Sequence, residues 1–183
     1  GAFERVLGGL HPVDIRPVMI HAQLLRRDQL PAVRALGMIP SFFVAHTYYW
    51  GDVHVTNFGP ARASAISPAA SAFKEGLPFT FHQDTPVLPP DLLTAVGCAV
   101  TRTTRVGRVL GEEERLLPLD ALRAVTVNAA YQYFEEDRKG SIREGKLADF
   151  VLLDENPLTV EPGRIRDIRV LRTIKEGVTV YER

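Results

Sequence analysis

The stretch Pro17-Val18-Met19-Ile20-His21-Ala22 is a short apolar run that begins after a proline and closes on a polar residue, which reads as a buried strand. The next residues make it half of a unit. Asp28 can cap a helix through Leu30, Val33 and Leu36, whose spacing of three suits one buried face, and Gly37 supplies a stop. The plan repeats. Ile39 to Ala45 is apolar and aromatic and is predicted to be a strand ended by His46. A polar-aromatic loop from Thr47 to Pro60 leads into an Ala-rich helix over residues 61–75, with Pro68 expected to split or kink that helix. A third unit runs from Leu77 to His82, passes Gln83 and Asp84, turns at Pro86, Pro89 and Pro90, and enters a helix from Asp91 to Arg105. Three strand-then-helix units in succession predict an α/β fold with a parallel sheet, because parallel neighbours need a long crossover. Chemistry in such folds sits at the carboxyl ends of the strands, where His21, His46 and Asp84 fall.

Beyond these units, Pro118, Asp120 and the run Ala121, Leu122, Val125, Ala129 signal another helix. The character then changes. Gly140 to Asp149 is turn-rich, Phe150 to Leu153 reads as a strand, and Ile168 to Ile174 with Val178 to Tyr181 reads as a hairpin around Lys175-Glu176-Gly177. A boundary is placed near Asp137, dividing the chain into residues 1–137 and 138–183.

Composition bounds the function. The chain has 183 residues, 45% hydrophobic and 24% charged, enough for one sizeable core. Lys+Arg and Asp+Glu both number 22, so no net charge draws the chain to nucleic acid or to an anionic membrane. No apolar run reaches the roughly 18 to 20 residues of a membrane span, and Gly1 to Leu10 carries Glu4 and Arg5 instead of a basic-then-apolar leader. The expectation is a soluble chain, with the cytoplasm favoured. A lone Cys98 closes no intrachain disulfide and, within the apolar helix Leu92 to Val100, reads as an inert buried thiol. No G-x-S-x-G elbow and no glycine-rich phosphate loop is present, so nucleotide and serine-hydrolase chemistry lose ground. The run Gly111 to Arg115 reads as a solvated loop.

Two histidines and an aspartate at successive strand ends make a corner for a divalent metal, since neutral imidazole and carboxylate are ligands that Zn²⁺ accepts. A histidine ending a strand is also commonly just a hydrogen-bonded, half-buried side chain, and both readings stand at this point. His82 is read as turned away from Asp84, and a packed or supporting histidine stands beside a ligand role for it. The stretch Thr47 to His54, with Tyr48, Tyr49 and Trp50, can wall a substrate pocket or cover an interface.

These residues resemble the carboxyl-terminal part of the amidohydrolase superfamily, specifically the YtcJ-like metal-dependent hydrolases of amidohydrolase family 3. Ile20-His21-Ala22-Gln23, the aromatic strand ending at His46, Asp84-Thr85-Pro86-Val87 and the tail from Lys139-Gly140-Ser141-Ile142 to Gly145-Lys146-Leu147-Ala148-Asp149 carry the likeness, with Ala124 to Ala130 as the helix before the tail. Ile20 departs from the family's usual Glu, and His82-Gln83 from its usual Gly-Ser, which suggests a subgroup with its own pocket.

The resemblance implies part of a (β/α)8 TIM barrel, about strands 5, 6 and 8, with a β segment of a small sandwich beside it. It implies that His21 and His46 bind one divalent ion, expected to be Zn²⁺, and that Asp84 binds a second and acts as the catalytic acid-base. Tyr48, Tyr49, His54 and His82 become substrate-binding candidates. The reaction implied is hydrolysis of a non-peptide C–N bond in a small amide-like molecule. The family's first-strand H-x-H has no counterpart before His21, so the resemblance also implies a missing amino-terminal half of the barrel as partner. The chain alone is then expected to hold metal weakly and to turn over nothing. A homodimer is conceivable, and the rival reading is a noncatalytic α/β assembly or interaction module.

Overall fold

A computed structural model describes residues 5–6 and 14–183. The reading of Gly1 to Leu10 therefore falls outside the described residues, apart from residues 5 and 6.

The fold is α/β. Strands β1 (Val18–His21), β2 (Ile39–Phe42) and β3 (Thr80–Phe81) form a parallel sheet in the order β1-β2-β3. Between β1 and β2 lies helix α1 (Leu30–Ala35). Between β2 and β3 the chain makes α2 (His46–Phe58), α3 (Pro60–Ser64) and α4 (Ala69–Lys74). Pro68 stands at the head of α4, so the break expected at this proline is present. Being central, β2 is buried at every position and carries Phe42 into the core beside Phe79, with ring centroids 5.9 Å apart. β1 is an edge strand, and Ile20 is 59% exposed on it.

Three expectations are corrected here. First, Thr47 to Pro60 is not a loop. It is helical to Phe58, although aromatic and β-branched residues give the segment low intrinsic propensity. Packing decides instead: Tyr48, Tyr49 and Trp50 lie on the main core, and Gly51 sits so close to Thr104 that a Cβ there would be 2.8 Å from its methyl. β2 consequently ends at Phe42, and His46 opens a helix instead of closing a strand. Second, β2 and β3 are hydrogen-bonded neighbours, with Ser41 opposite Thr80 and Phe42 opposite Phe81. The strand that a numbering of 5, 6 and 8 would set between them is absent among the described residues, since helices fill the interval. Third, the acidic run is only partly solvated. Glu114 has no exposed surface, because its carboxylate accepts from Arg27 Nε at 2.7 Å and from the Ser71 amide at 2.9 Å.

Helix α5 (Leu92–Thr101) packs against the 3₁₀ turn Pro162–Asp167 and the helix Pro118–Ala124 and buries Ala95 through Val100. The Asp91 carboxylate caps it, accepting from the amides of Leu93 at 3.0 Å and Thr94 at 3.2 Å. Asp91→Ala is expected to lower stability by about 1 kcal/mol, measured as the urea midpoint. Cys98 on this helix is buried, and burial pushes its thiol up to about 12, which keeps it un-ionised.

Helices α6 (Pro118–Ala124) and α7 (Val127–Gln132) precede the tail, where β4 (Phe150–Leu153), β5 (Val170–Lys175) and β6 (Val178–Glu182) form an antiparallel sheet in sequence order. The hairpin is where the sequence predicts it. Its turn residues Glu176 and Gly177 both have positive φ, and Asp149 and Ala148 hold the turn by accepting from their amides at 2.8 and 3.0 Å. The tail motif is thus a clamp on the hairpin. A 3₁₀ turn, Pro162–Asp167, returns to α5 and sinks Ile165 into the main core.

Candidate metal centre

The residues that could do chemistry gather where β1 and β3 end. His21 is the last residue of β1 and takes a left-handed φ of 63°, and Asp84, just past β3, takes 52°. Such backbone is costly for residues with a Cβ and is often found at functional sites. One donor atom from each of His21, His82 and Asp84 lies within 4.8 Å of the others. His82 Nε2 is 3.2 Å from His21 Nδ1. Two imidazoles and a carboxylate suit a divalent ion of the zinc type.

His82 therefore faces Asp84 and is not turned away from it. Positions two apart share a face wherever a strand alternates regularly, so alternation does not support the opposite-side reading; here both residues lie past the end of β3 at Phe81. Its other nitrogen, Nδ1, is 3.1 Å from the hydroxyl of Ser41, a buried residue of the central strand.

His46 stands beside this trio, its ring centroid 6.3 Å from that of His21 and edge-on to it. The ring is wedged between Phe43, at 4.6 Å, and Trp50, at 4.8 Å. Its Nδ1 is 3.2 Å from His54 Nε2, to which Gln23 Nε2 donates at 2.8 Å. His54 is stacked on Phe58. The eight-residue separation of His46 and His54 places both on one face of α2, and the helix is what brings them together.

Tyr48 and Tyr49 hold other positions. Arg166 lies over the Tyr48 ring at 4.3 Å and Arg105 over that of Tyr49 at 5.4 Å, while Tyr49 reaches the histidines only through its neighbour Trp50. Phe43, Ser41 and Gln23 are the surroundings that sequence reasoning left without a role. Ser41 and Gln23 had no local signal, because their partners are 41 and 31 residues away.

Burial, with the neighbouring imidazoles of His54 and His21, pushes His46 down from 6.5 to about 4. Burial lowers His54 and His82 as well. An imidazole harder to protonate folded than unfolded leaves stability intact above the unfolded value and removes it as pH falls through the window between them. The metal-free chain is therefore expected to melt at progressively lower temperature from about pH 6.5 to about pH 4, and His46→Gln to flatten that slope. Thermal scans across this window check it.

The family model described as an amidohydrolase family matches residues 1–181. An N-substituted formamide deformylase of Arthrobacter pascens is 33% identical over 73% of this chain and 25% of its own length. The amidohydrolase YtcJ of Bacillus subtilis, itself of putative assignment, is 28% identical over 100% of this chain and 36% of its own. Among solved structures, an uncharacterized metal-dependent hydrolase of Pyrococcus horikoshii OT3 superposes with a TM-score of 0.71 at 25% identity, covering 88% of this chain and 33% of that one. The chain spans about a quarter to a third of the length of these relatives.

Proposed function

Because this chain belongs to the amidohydrolase family, we propose that it carries the metal-binding rim of a hydrolase acting on a non-peptide C–N bond. The observation that carries this reading is the convergence of His21, Asp84 and their neighbouring imidazoles at one end of a parallel sheet. The pairing of β1, β2 and β3 makes them successive strands; with Asp84 closing the eighth strand of a (β/α)8 barrel, His21 ends the sixth. Residues 1–137 are then barrel and 138–183 part of the adjoining sandwich. The free edge of β1 and the exposed strand β6 are where the rest of the protein would pair and pack.

His21, His46 and Asp84 are the proposed ligands, and the nitrogen and oxygen donors fit Zn²⁺. A bound divalent ion there supplies Lewis acidity and a water acidified toward neutrality. The Asp84 carboxylate, exposed at the rim, takes a proton from the attacking water with one oxygen and returns it to the leaving nitrogen. His54 and Trp50 face the space beside His46 and position the substrate, with Tyr49 and Tyr48 behind them. Burial lowers His82, which favours the neutral form that a donor to a cation needs.

The likeness to a deformylase supports N-substituted formamides as the substrate class. The test is the whole protein loaded with Zn²⁺ and offered N-alkyl and N-aryl formamides, other non-peptide amides and dipeptides, with release of acid and amine followed together. Formate and amine from the formamides are expected. Turnover of none of the non-peptide amides would overturn the reading. Within this proposal the 183 residues by themselves are expected to bind metal without catalysing hydrolysis.

A further inference from the structure

We propose that His82 is itself a ligand of the divalent ion, so that His21, His82 and Asp84 form a three-donor site contained within this chain, with His46 as the outermost donor. The inference rests on the metal-dependent reading above and adds a residue to it. Three observations carry it. The first is spacing: two nitrogens bound to one tetrahedral zinc at about 2.0–2.1 Å stand roughly 3.3 Å apart, and His82 Nε2 and His21 Nδ1 stand 3.2 Å apart. The second is orientation. Ser41, buried on the central strand, lies 3.1 Å from His82 Nδ1, so a proton on that nitrogen has a partner and the lone pair of Nε2 is left facing His21 and Asp84. The third is the contrast with His46. Its Nδ1 is engaged by His54, its ring is held between Phe43 and Trp50, and it stands apart from the group of donors that lie within 4.8 Å of one another.

A simple hydrogen bond between two neutral imidazoles would also bring His21 and His82 to this separation, and metal titration separates the two cases. Zn²⁺ is titrated calorimetrically into the complete 183-residue chain and into His82→Ala, Ser41→Ala, His46→Ala and His21→Ala, with Co²⁺ absorption reporting nitrogen ligation and far-ultraviolet circular dichroism reporting the fold. Expected are one site in the parent chain, a loss on the order of 100-fold in His82→Ala, about tenfold in Ser41→Ala, and a smaller loss in His46→Ala than in His82→Ala. Ser41→Ala keeps the proposal testable should His82→Ala misfold. Zinc affinity unchanged in folded His82→Ala, or a larger loss in His46→Ala, would overturn the proposal. If His21→Ala alone abolishes binding, the proposal for His82 fails and the hydrolase reading stands. If the parent chain binds no zinc, both fail for this chain.

Discussion

Replacing Arg102 with alanine is expected to cost roughly 3–5 kcal/mol, the largest stability effect of any single substitution considered. The guanidinium is fully buried at the end of α5, yet none of its hydrogen bonds goes to a carboxylate. Nε donates to the Leu110 carbonyl at 2.7 Å, Nη1 to Ser67 at 3.2 Å, and Nη2 to Ile66 at 2.9 Å and Ser64 at 3.4 Å. The last three carbonyls belong to the break between α3 and α4, where the ends of short helices leave acceptors in need of partners; that of Ser67 is also met by the Ala69 amide at 2.8 Å. Burial lowers the guanidinium to about 10, partly offset by Glu114, so it stays charged at neutral pH. Without it, these carbonyls lie in a dry cavity, each at about 1–3 kcal/mol if no water reaches it. Arg102→Lys should recover only part of the loss, because an ammonium cannot span the same fork of acceptors. Gly111 closes the arrangement. It has φ +70°, and a Cβ on it would stand 2.0 Å from the Ser64 oxygen. Urea unfolding of the chain measures all of this, and a midpoint unchanged in Arg102→Ala would refute the assignment.

In the whole enzyme, Asp84→Asn is expected to lower kcat by on the order of 10³-fold, with KM changed far less. The substitution is nearly isosteric and keeps one oxygen donor, but it removes the carboxylate proposed to carry the proton between water and leaving nitrogen. His21→Ala should be as damaging by another route, losing the ion, and added Zn²⁺ should restore part of its activity but none of that lost in Asp84→Asn. Steady-state kinetics paired with metal analysis distinguish the two. Asp84→Asn retaining activity within a few-fold of the parent would remove Asp84 from the chemistry.

Much of this architecture is legible in the order of the residues. The apolar runs at 18–22 and 39–45 give the strands Val18–His21 and Ile39–Phe42, the second shorter than its run, Pro68 breaks a helix, Asp91 caps one, and Glu176-Gly177 turns the hairpin. These are local signals, set by period, by proline and by positive φ. The features that the residue order does not announce are decided at a distance. The aromatic stretch after Ala45 has loop-like propensities and becomes helical because its side chains pack on the core and Gly51 meets Thr104. That single change moves His46 off a strand end and brings His54 to its side. His21 and Asp84 could be chosen from strand ends alone, whereas the roles of Ser41 and Gln23 depend on contacts that no spacing announces. Arg102 had no signal either, since its partners come from two separate segments, Ser64 to Ser67 and Leu110.

The most direct measurement is anomalous diffraction at the zinc absorption edge from crystals of this chain grown with Zn²⁺. A peak within about 2.0–2.2 Å of a His21 nitrogen and an Asp84 oxygen is the expected result. Zinc sites found only elsewhere on the molecule, with those two side chains unligated, would contradict the metal centre on which the proposed function stands.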